Sequence, residues 1–202
     1  MKTKTNRLTK AEKRVAIAKD VIAQVKKKKF EATRGTYFCA PASNIHTDGK
    51  VQLQDILPEI SCQVCGIGSL FASKVNLYNN CTLGEVSYKA YGVRKIDAER
   101  GELIERLRDL FSRHQLDIIE AAFEGRFIAT DHKINNHEEY LAATKYPKML
   151  KKRDAASVMI AIMQNIIHNE GTFVVPQKAY RLITDHTRRE WEKHNLSHII
   201  HY

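Results

Sequence analysis

Residues 62–71, CQVCGIGSLF, combine the residue types with the most chemical potential in this chain: two cysteines three positions apart and two closely spaced glycines. The pattern is compatible with a thiol redox couple, half of a zinc site, a phosphate-binding glycine turn or a tightly packed helix face. A zinc site needs about two further ligands, and Cys39 and Cys81 do not form a second pair. A redox couple and a phosphate turn both need a strand before the motif and a helix that begins at it.

The sequence around this motif predicts one helix over about residues 59–77 instead. Pro58 suits the first turn of a helix, and Asn79-Asn80 act as a stop signal. Between them, apolar residues recur at three- and four-residue spacing: Ile60, Val64, Ile67, Leu70, Phe71 and Val75. Such a helix places both glycines at its middle, which excludes the phosphate turn and disfavours the redox couple. We therefore expect Cys62 and Cys65 to be buried, metal-free thiols in a stripe of small side chains that a neighbouring helix approaches closely.

Further candidates for nucleophiles and bases are dispersed along the chain. The histidines that could act as bases include His46, His114, His132 and His168. No nucleophile elbow, HExxH motif, P-loop or paired-carboxylate signature accompanies them. Asp131-His132-Lys133 is the least ordinary polar cluster, and its surroundings are typical of an exposed loop. The sequence thus predicts no catalytic residues, and a Cys/His enzyme is kept as an alternative.

Three histidines near the C-terminus raise the question of a metal site. His194, His198 and His201 share one face if a helix continues to the end of the chain. No cysteine or carboxylate is fixed in relation to them, so we expect surface or interface histidines and no metal. Trp191 and Arg188 lie on the same segment, and this composition is typical both of interface hot spots and of base-stacking sites.

The positive charge of the chain is concentrated in its first segment. The net charge is +10, of which residues 1–29 carry +9 and residues 30–202 only +1. This distribution would give a sequence-blind attraction to phosphates through a basic N-terminal tail and helix. Solvated lysines that keep a protein soluble explain the same charge.

The chain contains no run of about 18 apolar residues, and its start, MKTKTNRLTKAEKR, has no apolar stretch behind its charges. We therefore expect no membrane span or secretory signal, a cytoplasmic location and reduced thiols.

The periodicity of the chain indicates a mainly α fold with minor β content. A helix begins at the capping box of Thr9 and Glu12, with an apolar face formed by Ala11, Val15, Ala18, Ile22 and Val25. Short strands or extended loops are expected in FEATRGTYFCAPASN, a turn at residues 46–49, and strand-like alternation in VQLQDIL. A helix capped by Asp97 and a second one ending at Gly125 form an expected helical hairpin.

The second half of the chain is expected to contain an irregular segment and a central helix. Residues 126–153 show no steady period, which is typical of a long functional loop or lid. The segment from Asp154 to Gly171 is apolar on nearly every side and predicts a buried core helix. We predict a basic tail at residues 1–8 and a single, mainly helical domain at residues 9–202.

Three segments in order, CQVCGIGSLF, LDIIEAAFEG and IMQNIIHNEGTF, resemble a loose group of short uncharacterised proteins, many of them encoded by bacteriophages. The shared features are a C-x-V-C-x-x-G-x-L-F segment and an acidic IEAAFE helix, and the resemblance covers about residues 10–175. It implies a small accessory protein of a phage or of a bacterium that meets phages, working in the host cytoplasm. Such proteins often block a host defence by binding a defence protein or by trapping a nucleotide signal.

These observations lead to a binding function without turnover. We expect capture of an anionic, nucleotide-type small molecule, with no cofactor, by guanidinium forks and aromatic planes. The predicted ligand-binding residues are Arg34, Tyr37, Lys152, Arg153, Arg188 and Trp191. The alternative is a factor that binds a host protein or nucleic acid through the basic N-terminal helix. No membrane partner is expected, and self-association into a homo-oligomer is compatible with the sequence.

Overall fold

The computed structural model describes residues 8–41, 53–78, 87–90, 93–98, 100–128, 134 and 136–196. It is mainly α with a small sheet, as the sequence predicts. The strands are β1 (Phe30–Ala32), β2 (Phe38–Pro41), β3 (Cys62–Val64), β4 (Ser87–Ala90) and β5 (Val93–Ala98). The helices are α1 (Lys10–Lys26), α2 (Leu53–Ile56), α3 (Gly66–Tyr78), α4 (Arg100–Leu107), α5 (Arg113–Glu124), α6 (His137–Thr144), α7 (Tyr146–Met149), α8 (Ala155–His168), α9 (Gln177–Tyr180) and α10 (Asp185–Leu196).

The sheet has the strand order β1-β3-β2-β5-β4. Among the described strands, the β1–β3 pair is parallel and the other three pairs are antiparallel. Along β3, Cys62 and Val64 are buried and Gln63 is exposed, because successive side chains of a strand point to opposite faces. One face of the sheet therefore belongs to the hydrophobic core that the helices complete.

Helix α1 begins at the predicted capping box. The Glu12 N–H donates to Thr9 Oγ1 at 3.2 Å, and the Thr9 N–H donates to Glu12 Oε2 at 2.7 Å. The buried face agrees with the predicted one at Ala18 and Val25, and its other members are Ile17 and Val21. Helix α1 packs against α8 and α3 through this face.

The predicted helix over residues 59–77 is wrong in its first part. Residues 62–64 form β3, which pairs with β1 on one side and β2 on the other, and α3 begins only at Gly66. The predicted close packing against the small residues is confirmed. A Cβ on Gly66 would lie 3.1 Å from the Phe123 Cβ of α5, and one on Gly68 would lie 1.6 Å from the Tyr37 carbonyl oxygen.

Three other local predictions are corrected. The alternating VQLQDIL segment forms the helical turn α2 from Leu53 and not a strand. Asp97 lies within β5 and does not cap α4, which begins at Arg100. Helices α4 and α5 do not pack along their length as the expected hairpin would, because each packs against α3 and the two are joined through the ion pairs of Arg100 with Asp117 and Glu120.

The segment 126–153, expected to be irregular, contains α6 and α7. The predicted turn at residues 46–49 and the cluster at residues 131–133 lie outside the described residues, as do residues 1–7.

Helix α8 is capped by Asp154, whose carboxylate accepts a hydrogen bond from the Ser157 N–H at 2.9 Å. The chain turns after it at Gly171, which has a φ of +92°. The helix is buried on one face rather than on nearly every side, since Gln164 and His168 are exposed. Its buried residues are Val158, Met159, Ile162, Met163 and Ile166. Within the described part of the chain, no helix has both the length and the apolarity to cross a membrane.

Candidate functional site

Helix α5 carries an acidic ridge, formed by Asp117, Glu120 and Glu124. Ser112 caps the helix, and Gly125 ends it with a φ of +69°. The three carboxylates are spaced by three and four residues, which places them on one face of the helix. Asp117 and Glu120 are only 2 % and 1 % exposed. Charges this deeply buried need partners close by.

The partner of the first two carboxylates is Arg100, the first residue of α4. Its Nη2 lies 2.5 Å from Asp117 Oδ1, and its Nε lies 2.7 Å from Glu120 Oε2. Tyr37 completes this set, which we call the buried polar cluster (Tyr37, Arg100, Asp117 and Glu120). Burial raises the pKa of the Tyr37 hydroxyl, and the nearby Glu120 carboxylate adds to the effect. Burial also raises the pKa of Glu120, although Arg100 and Tyr37 act in the opposite direction.

The third carboxylate fixes the loop between β1 and β2. Glu124 Oε1 accepts a hydrogen bond from the Gly35 N–H at 3.1 Å. Gly35 has a φ of +78°, a conformation that favours glycine. Arg34 Nε donates to the Phe123 carbonyl at 3.1 Å, so the loop is held against the C-terminal end of α5. Glu124 of the acidic ridge thus holds in place the loop that contains Arg34.

Arg34 also connects this loop to the start of α8. Its Nη2 donates to the Arg153 carbonyl at 3.1 Å, across 119 positions of sequence. Arg153 in turn donates from Nη2 to the Lys148 carbonyl at 3.2 Å. On the other side of the loop, Arg126 Nη2 lies 3.7 Å from the position that a Cβ on Gly35 would take. Three separate segments therefore bring their cations to one place.

We call this place the basic surface. Each of its members is a cation with an exposed side chain: Arg34, Arg126, Lys148, Lys151, Lys152 and Arg153. Two carboxylates offset part of this charge: Arg126 Nη2 lies 3.6 Å from Glu124 Oε2, and Asp154, the cap of α8, interacts electrostatically with Lys152. The six cations still outnumber them. Guanidinium and ammonium groups arranged in this way attract phosphate and carboxylate anions.

The predicted ligand-binding residues divide into three groups. The Arg34 side chain meets the Arg153 carbonyl on the basic surface, and Lys152 is the exposed residue directly before Arg153. Tyr37 belongs to the buried polar cluster. Arg188 and Trp191 lie on α10, where both contact α6: Arg188 Nη2 is 3.3 Å from Glu138 Oε1, and the indole stacks on the His137 ring at 5.2 Å between centroids.

Sequence reasoning missed Arg126, Lys148 and Lys151. Lys151 directly precedes Lys152 and Arg153, which were predicted to bind the ligand, and this run of three cations could have identified it. Arg126 and Lys148 had no such signal, because they approach the others only through the contacts of Gly35 and Arg153.

The cysteine motif has the strand-to-helix order that the redox and phosphate-turn alternatives require, contrary to the prediction. Cys65 stands directly before α3, and its Sγ accepts a hydrogen bond from the Gly68 N–H at 3.5 Å. Both thiols are 1 % exposed. Burial raises the pKa of Cys62 to about 12, and it also raises the pKa of Cys65. The thiols are therefore protonated at neutral pH, and the Tyr37 backbone occupies the space over Gly68 that a phosphate would need.

The remaining candidates for chemistry are held in structural contacts or lie outside the described residues. His114 Nε2 is 2.8 Å from Glu139 Oε2, and His168 is exposed at the end of α8. Of the three C-terminal histidines only His194 is described, at 6.3 Å from the Phe127 ring. In the described ranges, no group of three or more His, Cys, Asp or Glu residues is arranged to hold a metal ion.

The basic helix α1 is partly engaged within the molecule. Lys13 Nζ lies 5.4 Å from the centroid of the Tyr78 ring, and Arg14 Nη1 donates to the Leu110 carbonyl at 3.1 Å. Lys26, Lys27 and Lys28 at the end of the helix are exposed. The helix therefore offers a smaller set of accessible cations than its sequence suggests.

No family model matches the chain, and no match to it is found among the curated proteins or the solved structures. The function of the chain is therefore inferred from its own geometry.

Proposed function

We propose that this protein captures a phosphate-bearing, nucleotide-type anion on the basic surface and releases it unchanged. The observation that carries the proposal is the hydrogen bond from Arg34 to the Arg153 carbonyl. That bond joins cations from two distant segments into one surface, although residues 30–202 together carry a net charge of only +1. In the phage setting that the sequence resemblance implies, such capture would remove a nucleotide signal from the host.

The geometry of Arg34 supports this role. Its Nε and Nη2 donate hydrogen bonds to the carbonyls of Phe123 and Arg153. Nη1 takes part in neither bond and is the nitrogen that we expect to bind the anion. A guanidinium whose orientation is already fixed loses less side-chain entropy when it binds an anion. A hydrogen bond to a charged group is worth about 1.5–3 kcal/mol, so removal of Arg34 should weaken binding by roughly tenfold or more.

The test is to incubate the protein with a panel of linear and cyclic nucleotides and to measure which of them is depleted from solution. Ligand recovered after heat denaturation is then compared in mass with the ligand that was added. We expect depletion without a change of mass, and loss of depletion in Arg34→Ala.

The control is Arg108→Ala, because Arg108 is an exposed arginine of the same charge that pairs only locally with Glu105. A ligand of altered mass would identify an enzyme. Equal depletion by both variants would refute the assignment of the site.

The alternative is a protein or nucleic-acid binding factor that uses α1, and it is favoured by the exposed lysines at residues 26–28. Removal of residues 1–8 combined with Lys26→Gln, Lys27→Gln and Lys28→Gln, together with a titration of salt, separates the two proposals. A factor that binds a duplex through its basic N-terminal segment should lose affinity on these changes and show a steep salt dependence. Binding at the basic surface should survive them.

A further inference from the structure

We infer that the ligand is recognised through its phosphates, with little selection among bases. This inference rests on the proposed function and concerns the specificity of the same surface. Its basis is a separation in the fold: the cations of the basic surface are exposed, whereas the aromatic rings available to stack on a base are engaged elsewhere.

Tyr37 is the aromatic residue closest in sequence to Arg34. Its side chain interacts with the buried polar cluster and not with the basic surface. Its hydroxyl interacts with Glu120 and Arg100 in the buried polar cluster. Its ring packs against the hydrophobic core. Its carbonyl accepts a hydrogen bond from the Cys65 N–H at 3.1 Å, which fixes the backbone as well. These contacts hold the partly buried Tyr37 side chain in one orientation, so it is not free to rotate onto a base bound at the basic surface.

Two other aromatic side chains, those of Phe127 and Trp191, are also engaged within the molecule. Phe127, next to Arg126, has its ring 6.3 Å from the ring of His194, and it packs against the core. Trp191 is stacked on His137 at 5.2 Å. Stacking on aromatic side chains is the usual way in which proteins hold a nucleobase with exposed π faces. Among the residues that the structure describes, the basic surface offers charge without such a platform.

A surface of this kind discriminates by the number of phosphates. Lysine and arginine side chains meet phosphate oxygens through charge-assisted bonds, and these bonds carry no information about the base. Several cations from three segments of the protein can contact several phosphate groups of one ligand molecule at the same time. Affinity should therefore rise from a monophosphate to a triphosphate, and inorganic tripolyphosphate should bind as well as a nucleoside triphosphate.

The experiment is isothermal titration calorimetry of the full chain at low salt with ATP, GTP, CTP, UTP, AMP and inorganic tripolyphosphate. We expect the five triphosphate ligands to agree in Kd within about threefold and AMP to bind roughly tenfold more weakly. Arg34→Ala should weaken all five by a similar factor, whereas Arg108→Ala should not. Lys152→Gln, a change at an exposed side chain, provides a second variant that leaves the contacts of the loop intact.

Two results would overturn the inference, and they differ in what else they affect. A preference of about tenfold or more for one base, or for the nucleotides over tripolyphosphate, contradicts this inference and leaves the proposed function in place. Failure of every triphosphate to bind contradicts both. If the triphosphates do bind, competition with a single-stranded oligonucleotide identifies the source of the phosphates. An oligonucleotide that displaces the triphosphates at a lower concentration than free triphosphate does would identify a polymer ligand. One that displaces them only at a higher concentration would identify a small-molecule ligand.

Discussion

Replacing Gly68 by alanine places a methyl group where a backbone already lies. The added Cβ would be 1.6 Å from the Tyr37 carbonyl oxygen and 2.7 Å from its carbonyl carbon. The Tyr37 segment cannot move away freely, because the same oxygen accepts the Cys65 N–H hydrogen bond and β2 begins at the next residue. The substitution must therefore separate α3 from β2.

The expected cost has two parts. Overpacking of a filled interior costs about 1–3 kcal/mol. Loss of the hydrogen bond between Cys65 and Tyr37 adds about 1–3 kcal/mol, since it leaves a buried polar group unsatisfied. Together these give a loss of about 2–6 kcal/mol in the free energy of unfolding. For a chain of this length that corresponds to a fall in Tm of roughly 4–24 °C.

Urea denaturation followed by circular dichroism measures this loss, and the glycines of the chain supply a matched series. Gly101 lies in α4 with no atom within 4 Å of its added Cβ, so Gly101→Ala should stabilise the protein by up to about 1 kcal/mol through helix propensity. Gly66→Ala should fall between the two, because its Cβ would meet the Phe123 side chain at 3.1 Å. A Gly68→Ala protein as stable as wild type, or a series in a different order, would refute this account of the packing.

Two other predictions concern buried groups. Arg100→Met removes the nearest cation of two buried carboxylates, although Arg113 Nε remains 4.0 Å from Asp117 Oδ1, and should cost about 3–5 kcal/mol in urea denaturation. That deficit should shrink as the pH is lowered, because burial raises the pKa of Glu120 and this carboxylate takes up a proton more readily without Arg100; a deficit no larger than that of Arg108→Met, an exposed ion pair, would be inconsistent with the cluster. Burial raises the pKa of Cys62 from its usual 9.0 to about 12, so the folded state holds this proton more tightly than the unfolded state. Its contribution to stability should be constant below pH 9 and be lost as the pH rises toward about 12. Cys62→Ser should therefore remove part of the dependence of the free energy of unfolding on pH in this range. Rapid labelling of Cys62 by a thiol reagent in native protein at neutral pH would argue against its burial.

Local signals predicted some elements of this fold well and failed where partners came from far along the chain. The Thr9 capping box and the Asp154 cap depend on residues three positions apart, and both were read correctly. The CQV segment was assigned to a helix because a short apolar run does not distinguish a buried strand from a helix. Its strand conformation depends on Phe30 and Phe38, which pair with it from β1 and β2.

The candidate site was predictable in its residue types and less so in its geometry. A run of cations before α8 and an arginine beside a glycine were visible in the sequence. Their meeting depends on Arg34 reaching the carbonyl of Arg153, a contact that no local pattern encodes. Trp191 was grouped with them by composition, yet its ring stacks on His137 of α6. Composition identified the chemistry of these residues, and tertiary packing decided which of them act together.

The packing of α1 against α8 has a consequence for how the chain is made. About 140 residues separate the ends of these two helices, and at about 5–20 residues per second the ribosome needs roughly 7–30 s to produce them. Throughout that interval the apolar face of α1 lacks one of its two main partners. Gly171, whose Cβ position lies 2.8 Å from the Ala11 carbonyl oxygen, extends this contact beyond the end of α8. The nascent N-terminal helix is therefore open to chaperones and proteases until the chain has been synthesised beyond that glycine.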